Sequence, residues 1–161
     1  MILTYLVSAF GKAEHDHLYP KDVTKRALVD LHLHFDLSTL YQRLLDYFFP
    51  TIIVGAPLDE SKKARLVEAL GFFETILKNK KFSTGDDFTI ADLSLCVTVS
   101  QIEAFGFSLT PFTKIRKWLA ECKNELGSYG YEVSSLNFEL PCTYLSLSDF
   151  VFAAGNKRDW R

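Results

Sequence analysis

The sequence predicts an all-α helical bundle, and three observations indicate this fold class. In every segment up to about residue 132, apolar residues recur at spacings of three and four, which is the period of an α-helix. Residues that cap helices stand at the starts of several of these segments. Hydrophobic residues make up 48% of the 161-residue chain, so a domain of this size forms its core without a disulfide or a metal.

The charge balance excludes some classes of function. Lysine and arginine total 18 and aspartate and glutamate total 20, which gives a formal net charge of -2. Proteins that bind nucleic acids carry a basic excess that neutralises phosphates, so we expect no nucleic-acid partner. No apolar run approaches the roughly 18 to 20 residues that span a bilayer, so we expect no membrane partner.

The N-terminal segment and the cysteines together predict a cytoplasmic protein. The first ten residues are apolar, but no basic residue precedes them as one does in a signal peptide. The three cysteines, Cys96, Cys122 and Cys142, are an odd number at wide spacing, without the close pair that zinc or redox sites use. This pattern is typical of free thiols in a reducing compartment.

The first half of the chain predicts two helices joined by a connector. A short helical segment comes first, and the residues that follow contain Pro20, which favours a connector. A long helix of about seven turns then runs from Asp22 to about Phe49, and we expect Pro50 to help end it. Its apolar residues form two stripes, first Leu28, Leu31 and Phe35, then Leu37, Tyr41, Leu44 and Phe48.

Two further helices are predicted on either side of a central one. Gly55 marks a break, and Asp59 can cap a helix whose stripe is Leu66, Leu70, Phe73 and Leu77. Thr110 and Pro111 open the last helix, whose stripe is Ile115, Trp118, Leu119, Cys122 and Leu126. From about Val133 the pattern changes to an alternation interrupted by a proline, and no element is assigned there.

The segment from Ile90 to Ile102 predicts a helix that is buried on nearly every side. Its only charged residue is Asp92, and most of its other polar residues are small hydroxyls. The spacing explains this acid as half of a capping box, in which Thr89 is the N-cap and Asp92 reaches back to the amide of Thr89. The alternative, that Asp92 is a catalytic acid, is less favoured because capping accounts for it.

Two His-x-His pairs raise the question of a metal site, and the sequence predicts none. Residues two apart on a helix point about 200° from each other. His32 and His34 therefore do not easily share one ion. Neither a Ser-His-Asp order nor a glycine-rich phosphate loop is present to indicate another chemistry.

An ordered series of motifs carries a family resemblance over about residues 1 to 132. The motifs are Leu18-Tyr19-Pro20-Lys21, Lys25-Arg26-Ala27, His34-Phe35-Asp36, Thr39-Leu40-Tyr41, Asp46-Tyr47-Phe48-Phe49-Pro50 and Phe88-Thr89-Ile90-Ala91-Asp92. Together they resemble the helical C-terminal domain of cytosolic glutathione transferases, most closely the insect delta class, with epsilon as its neighbour. The resemblance implies three parts: residues 1–14 end the last helix of a missing thioredoxin-like domain, 15–132 form the helical domain, and 133–161 are a divergent tail.

The resemblance implies a function for which this chain has only part of the machinery. Members of the family conjugate glutathione, their co-substrate, to hydrophobic electrophiles in detoxification. Their thioredoxin-like domain binds glutathione, and the helical domain supplies most of the electrophile pocket. The glutathione thiol has a pKa of about 8.5 until a hydrogen-bond donor lowers it, and no upstream serine for that role precedes the helical segments here.

We therefore expect a truncated transferase that binds no glutathione and is inactive as this chain alone. We expect its partners to be hydrophobic small molecules, and a homodimer is possible as in the family. The alternative is a non-catalytic helical module that binds hydrophobic ligands or a protein partner.

Specific residues follow from the resemblance. Tyr41, Leu44, Tyr47 and Phe49 match positions that line the hydrophobic substrate site, although Leu44 replaces the usual aromatic. Plain core packing is the alternative for this stripe. We expect the four to surround an open cleft, with Phe35 and Val97 more deeply buried. Asp36 matches an aspartate whose polar network reaches the glutamyl end of glutathione, and the alternative is a solvated acid.

Overall fold

A computed structural model describes residues 2–128, and this part of the chain is helical and contains no strand. In chain order the helices are α1 (Ile2–Phe10), α2 (Val23–Phe35), α3 (Tyr41–Val54), α4 (Glu60–Ile76), α5 (Ile90–Ala104) and α6 (Thr113–Ser128). A short 3-10 helix, Ala13–His15, follows α1, and a π-helical turn, Asp36–Leu40, joins α2 to α3. The prediction of an all-α fold is confirmed. The predicted tail from residue 133 lies outside the described residues.

The long helix predicted from Asp22 is present, but it ends later than expected. Pro50 lies inside α3, so the prediction that it ends the helix is wrong. The end comes at Gly55, whose φ of 67° is left-handed and favours glycine. The amides of Gly55 and Ala56 bond back to the carbonyls of Thr51 and Pro50, at 3.0 and 3.2 Å, and so satisfy carbonyls of the last turn.

The buried face of α2 also differs from the predicted stripe. Leu28 and Leu31 are exposed, whereas Val29, His32 and Asp36 are buried. The residue of α2 that packs against Ile90 and Ala91 of α5 is Val29, which the stripe did not include. The apolar stripe read from the sequence therefore predicts the wrong side of α2.

Helix α5 lies at the centre of the bundle, as its composition predicts. Eight of its residues are buried: Ile90, Ala91, Asp92, Leu95, Cys96, Thr98, Val99 and Ile102. It contacts α2, α3 and α6. A helix that is surrounded on this many sides needs apolar or hydrogen-bonded residues around its whole circumference.

The main core joins α3, α4, α5 and α6. The predicted α4 stripe of Leu66, Leu70, Phe73 and Leu77 is buried completely or almost completely. Phe73 packs edge-on against Trp118 of α6, with ring centroids 4.8 Å apart. The carboxylate of Asp59 accepts a 2.8 Å hydrogen bond from the amide of Ser61, so this residue caps α4 as its position predicts.

Helix α1 is attached to this bundle by one side only. Leu3 and Val7 pack against a small cluster formed by Val29, Ile90 and Ala91. No residue of α1 is buried, and its outer apolar residues, Ile2, Tyr5 and Phe10, are 75%, 63% and 70% exposed. Within residues 2–128, none of the helices has the length and apolar composition to span a membrane.

Candidate functional site

A cavity of about 560 Å³ lies where α1, α2, the π turn and the start of α3 face α5. Its apolar wall consists of Leu3, Leu33, Leu37, Leu93 and Val97. Its polar lining consists of Thr4, Asp30, His34, Asp36, Tyr41, Ser94, Thr98 and Gln101. A volume of this size accommodates a small organic molecule.

Asp36 is the charged group buried most deeply in this cavity. The π turn carries its side chain toward α5, and the residue is only 4% exposed. The hydroxyl of Ser94 donates to Oδ2 over 2.5 Å, while Oδ1 accepts no hydrogen bond from the described residues. Burial raises the pKa of this carboxyl, and the hydroxyls of Ser94 and Thr98 oppose that shift. Oδ1 of this cavity-lining carboxyl is therefore left without a hydrogen-bond partner among the described residues.

A second carboxylate, Asp30, also lines the cavity. The hydroxyl of Tyr19 donates to Oδ1 of Asp30 over 3.0 Å, and the guanidinium of Arg26 lies 4.8 Å from the centre of the Tyr19 ring. Partial burial and the neighbouring Asp30 raise the pKa of Tyr19. The contacts of Arg26 with the Tyr19 ring and of the Tyr19 hydroxyl with Asp30 hold this carboxylate in position in the cavity lining.

The four residues predicted to line the substrate site are separated by the structure. Tyr41 lines the cavity. Leu44 and Tyr47 are 1% and 5% exposed and belong to the main core, whereas Phe49 is 41% exposed and lies outside the cavity lining. The expectation that all four surround one open cleft is corrected, because the face of α3 that carries Leu44 and Tyr47 packs into the bundle. The binding roles taken from the resemblance stay predictions.

Val97 was expected to be deeply buried and is instead 44% exposed in the cavity wall. Ser94, Val97 and Gln101 occupy one face of α5 at spacings of three and four and form the far wall. Two of these three residues, Ser94 and Gln101, are polar, and a polar face on a mostly apolar helix is a signal that could have identified this wall. Phe35, by contrast, is partly buried and packs against the main core.

Asp92 is not part of this cavity lining and joins three segments of the chain. The structure forms a capping box between Thr89 and Asp92, and the amide of Thr89 donates to Oδ2 over 3.1 Å. In addition, Oδ1 accepts from the amide of Ser83 over 2.7 Å and from the indole of Trp118 over 2.9 Å. These last two contacts are not visible in the local sequence pattern. A fully buried carboxylate with this set of donors is a structural group.

The histidines do not come together. His32 is buried, and its Nδ1 has no partner among the described residues, whereas His34 is exposed and its Nδ1 lies 2.7 Å from the carbonyl of Asp30. Burial lowers the pKa of His32, and the charge of Lys80 adds to that effect. Within residues 2–128, no group of three or more His, Cys, Asp or Glu side chains is placed to hold a metal ion.

Comparisons with known proteins agree on one family. The family described as Glutathione S-transferase, C-terminal domain, matches residues 28–125. Glutathione S-transferase D7 of Anopheles gambiae is 61% identical over 132 residues, which cover 82% of this chain and 60% of that protein. The chain thus spans well under two thirds of the length of this relative.

Solved structures give the same result. The Bombyx mori glutathione transferase BmGSTD1 superposes with a TM-score of 0.76 at 41% identity, over 80% of this chain and 58% of that one. A delta-class glutathione transferase of Nilaparvata lugens superposes with a TM-score of 0.75 at 43% identity, over 78% of this chain and 58% of that one. In each case the similar part is just over half of the other protein.

Proposed function

The chain belongs to the glutathione S-transferase family, and from this premise we propose that its helical domain binds the hydrophobic electrophile of a glutathione conjugation reaction. The observation that carries the proposal is the cavity of about 560 Å³ between α2, α5 and the π turn. The cavity lining combines aliphatic side chains with the buried carboxyl of Asp36. The wider role, detoxification of apolar compounds, belongs to the same proposal, as does a cytoplasmic location.

The lining of the cavity supports an apolar ligand with a polar end. An apolar ligand that packs against Leu33, Leu37 and Val97 removes its own surface and theirs from water. This burial favours binding in proportion to the apolar area buried. The Oδ1 atom of Asp36 lacks a donor, so a hydrogen-bond donor that reaches it gains a bond that the protein alone does not supply. A ligand or protein group with an N–H or O–H beside an apolar body fits this description.

Glutathione enters the proposal as the co-substrate of the reaction. Conjugation of an aryl halide forms a carbon–sulfur bond and releases halide, and it requires the thiolate of glutathione. A donor must hold that thiolate, because the free thiol is mostly protonated at neutral pH. In the family that donor belongs to the thioredoxin-like domain. We expect the chain alone to bind an electrophile without accelerating its conjugation.

Binding of Nile red, an uncharged apolar dye, tests the proposal. We expect saturable dye binding that an aryl halide displaces. Tyr41→Ala and Val97→Asn, which both alter the cavity lining, should weaken dye binding at least several-fold. Phe49→Ala is the matched control, because this side chain is exposed and outside the lining. If all three variants bind the dye as tightly as the wild-type chain does, the cavity is not the binding site.

An activity assay tests the second half of the proposal separately. The chain is mixed with glutathione and an aryl halide, and conjugate formation is compared with the reaction in buffer alone. We expect the two rates to agree. A rate above buffer that Tyr41→Ala abolishes would show that the chain completes a catalytic site by itself.

The exposed apolar side of α1 favours a second candidate function, a non-catalytic module that docks a protein surface. Tyr5 and Phe10 are the aromatic part of this side, and their rings meet edge-on 6.0 Å apart. Homodimer formation is the simplest version of such docking. Light scattering of the wild-type chain and of Tyr5→Ser/Phe10→Ser tests it, with a smaller particle expected for the variant. If the particle size is the same for both proteins, α1 is not the docking element. The affinity for Nile red should be the same in the variant and in the wild-type chain.

A further inference from the structure

The residues that line the cavity include two carboxylates and no lysine or arginine. Asp30 and Asp36 both belong to the lining, and its other polar members among the described residues are hydroxyls, one amide and the imidazole of His34. His34 is exposed, and its Nδ1 lies 2.7 Å from the main-chain carbonyl of Asp30. The two acidic side chains are therefore not balanced by a lysine or an arginine within the cavity.

The hydrogen bonds of these two carboxylates come from uncharged groups. The phenol of Tyr19 donates to Oδ1 of Asp30 over 3.0 Å, and the hydroxyl of Ser94 donates to Oδ2 of Asp36 over 2.5 Å. The guanidinium of Arg26 lies over the Tyr19 ring, 4.8 Å from its centre. The ion pairs within residues 2–128 all involve other acidic side chains. The donors thus orient the carboxylates and leave them without a cation in direct contact.

The burial of Asp36 strengthens the effect of its charge. The residue is 4% exposed, and a charge that is removed from water is screened less than one on the surface. Burial also raises the pKa of this carboxyl, against the effect of its hydroxyl neighbours. A cation beside a carboxylate favours its ionised form and so opposes that shift. A bound cation therefore supplies an interaction that the described residues do not provide.

We propose that the cavity is a binding site for cationic amphiphiles, that is, protonated primary amines on an apolar body, in preference to uncharged ligands of the same shape. The ammonium group interacts with Asp30 and Asp36, and the apolar body packs against Leu33, Leu37 and Val97. An ammonium has three N–H donors and no acceptor, which suits two carboxylates. The inference rests on the proposed binding of apolar ligands in this cavity and names their chemical class.

The same lining disfavours anions. Glutathione has one ammonium group but two carboxylates, so it carries a net negative charge at neutral pH, and its peptide body is polar. Both properties conflict with an acidic lining that has aliphatic side chains between its polar groups. We therefore expect glutathione to compete poorly with an apolar amine for this cavity.

A matched pair of ligands tests the preference. Naphthylmethylamine and naphthylmethanol have the same ring system, and one ends in an ammonium where the other ends in a hydroxyl. Each is titrated into the full chain at neutral pH by isothermal titration calorimetry. We expect the amine to bind at least about tenfold more tightly than the alcohol, because Coulomb attraction adds to the same apolar contact. The amine should also displace Nile red, and glutathione at the same concentration should not.

Charge-removing variants locate the preference. Asp36→Asn and Asp30→Asn keep the shape of each side chain, so affinity for the amine should fall at least several-fold while affinity for the alcohol changes little. Asp87→Asn is the matched control, because Asp87 is exposed and lies outside the lining. It removes the same charge from the chain and should leave both affinities unchanged. Circular dichroism verifies that the three variants fold.

The outcomes separate this inference from the proposed function. If Nile red binds but the amine and the alcohol bind equally well, the preference for cations is wrong and electrophile binding stands. An equal loss of amine affinity in Asp87→Asn and Asp36→Asn would also overturn the inference, because overall charge would then explain the preference. Displacement of the amine by an equal concentration of glutathione would show that a polar anion fits as well. If the dye and both naphthyl ligands fail to bind, both proposals are wrong.

Discussion

The indole N–H of Trp118 donates a 2.9 Å hydrogen bond to Oδ1 of Asp92, and this bond ties α6 to the first turn of α5. Both residues are buried, Asp92 completely and Trp118 to within 2%. The same oxygen accepts from the amide of Ser83, which fixes the loop before α5. A single carboxylate thus joins a helix start, a loop and a neighbouring helix.

Replacing this carboxylate should be strongly destabilising. We expect Asp92→Ala to lower the free energy of unfolding by roughly 2 to 4 kcal/mol, because it removes a cap and leaves buried donors on Ser83 and Trp118 unpaired. Urea denaturation measures the effect. Asp87→Ala, on the exposed loop nearby, is the control and should change stability little. A change below about 0.5 kcal/mol in Asp92→Ala would show that these donors find other partners.

The environment of Asp36 predicts an unusual dependence of stability on pH. The pKa of this carboxyl is raised in the folded state, so the folded protein binds its proton more tightly than the unfolded chain does. This group's contribution to stability therefore falls as pH rises from the unfolded pKa of 3.8 through the raised folded value. Asp36→Asn keeps an acceptor for Ser94 and should stabilise the protein at neutral pH. Thermal melts across pH test this, with Asp30→Asn as the control, and equal melting temperatures at pH 7 would contradict it.

The burial of His32 predicts that stability falls as the pH is lowered, which is the opposite of the trend expected from Asp36. Its pKa in the folded state lies below the unfolded value of 6.5, so as pH falls through 6.5 the unfolded chain takes up a proton that the folded chain refuses. Lys80 disfavours the charged imidazole and Asp92 favours it, but burial is the largest influence. His32→Leu should reduce the loss of stability below pH 6.5, whereas exposed His34→Gln should not. Identical pH profiles for both variants would refute this account.

Replacing two glycines by alanine should change the free energy of unfolding in opposite directions. Gly55 ends α3 with a φ of 67°, so Gly55→Ala places a side chain in a strained conformation and should cost about 1 to 2 kcal/mol. Gly71 lies within α4, and a Cβ there meets nothing within 4 Å, so Gly71→Ala should add about 0.5 to 1 kcal/mol. Urea denaturation of the two variants measures both, and shifts of the same sign would contradict the assignment of either backbone conformation.

The sequence was most informative where local rules dominate. The cap at Asp59, the stripe of α4 and the burial of α5 depend on spacing within one helix, so periodicity predicts them. The cavity depends instead on which faces of α1, α2, the π turn and α5 meet, and contacts between helices decide that match. Tyr41 lines this cavity, and so does Val97, which was expected in the core. The contact of Asp92 with Trp118 spans 26 residues, and no local pattern encodes it.

The π turn at Asp36–Leu40 keeps buried residues of the long helix on one side of it. The buried residues Asp36, Leu40, Leu44 and Phe48 follow one another at intervals of four, and in a regular α-helix each such interval overshoots a full turn by about 40°. The turn uses a bond from the amide of Tyr41 to the carbonyl of Asp36, five residues back, and so absorbs part of that drift. The carboxylate of the cavity and the leucines of the core thereby share one line along the molecule. The π turn therefore lets one helix present a carboxylate to the cavity and apolar side chains to the core along the same side.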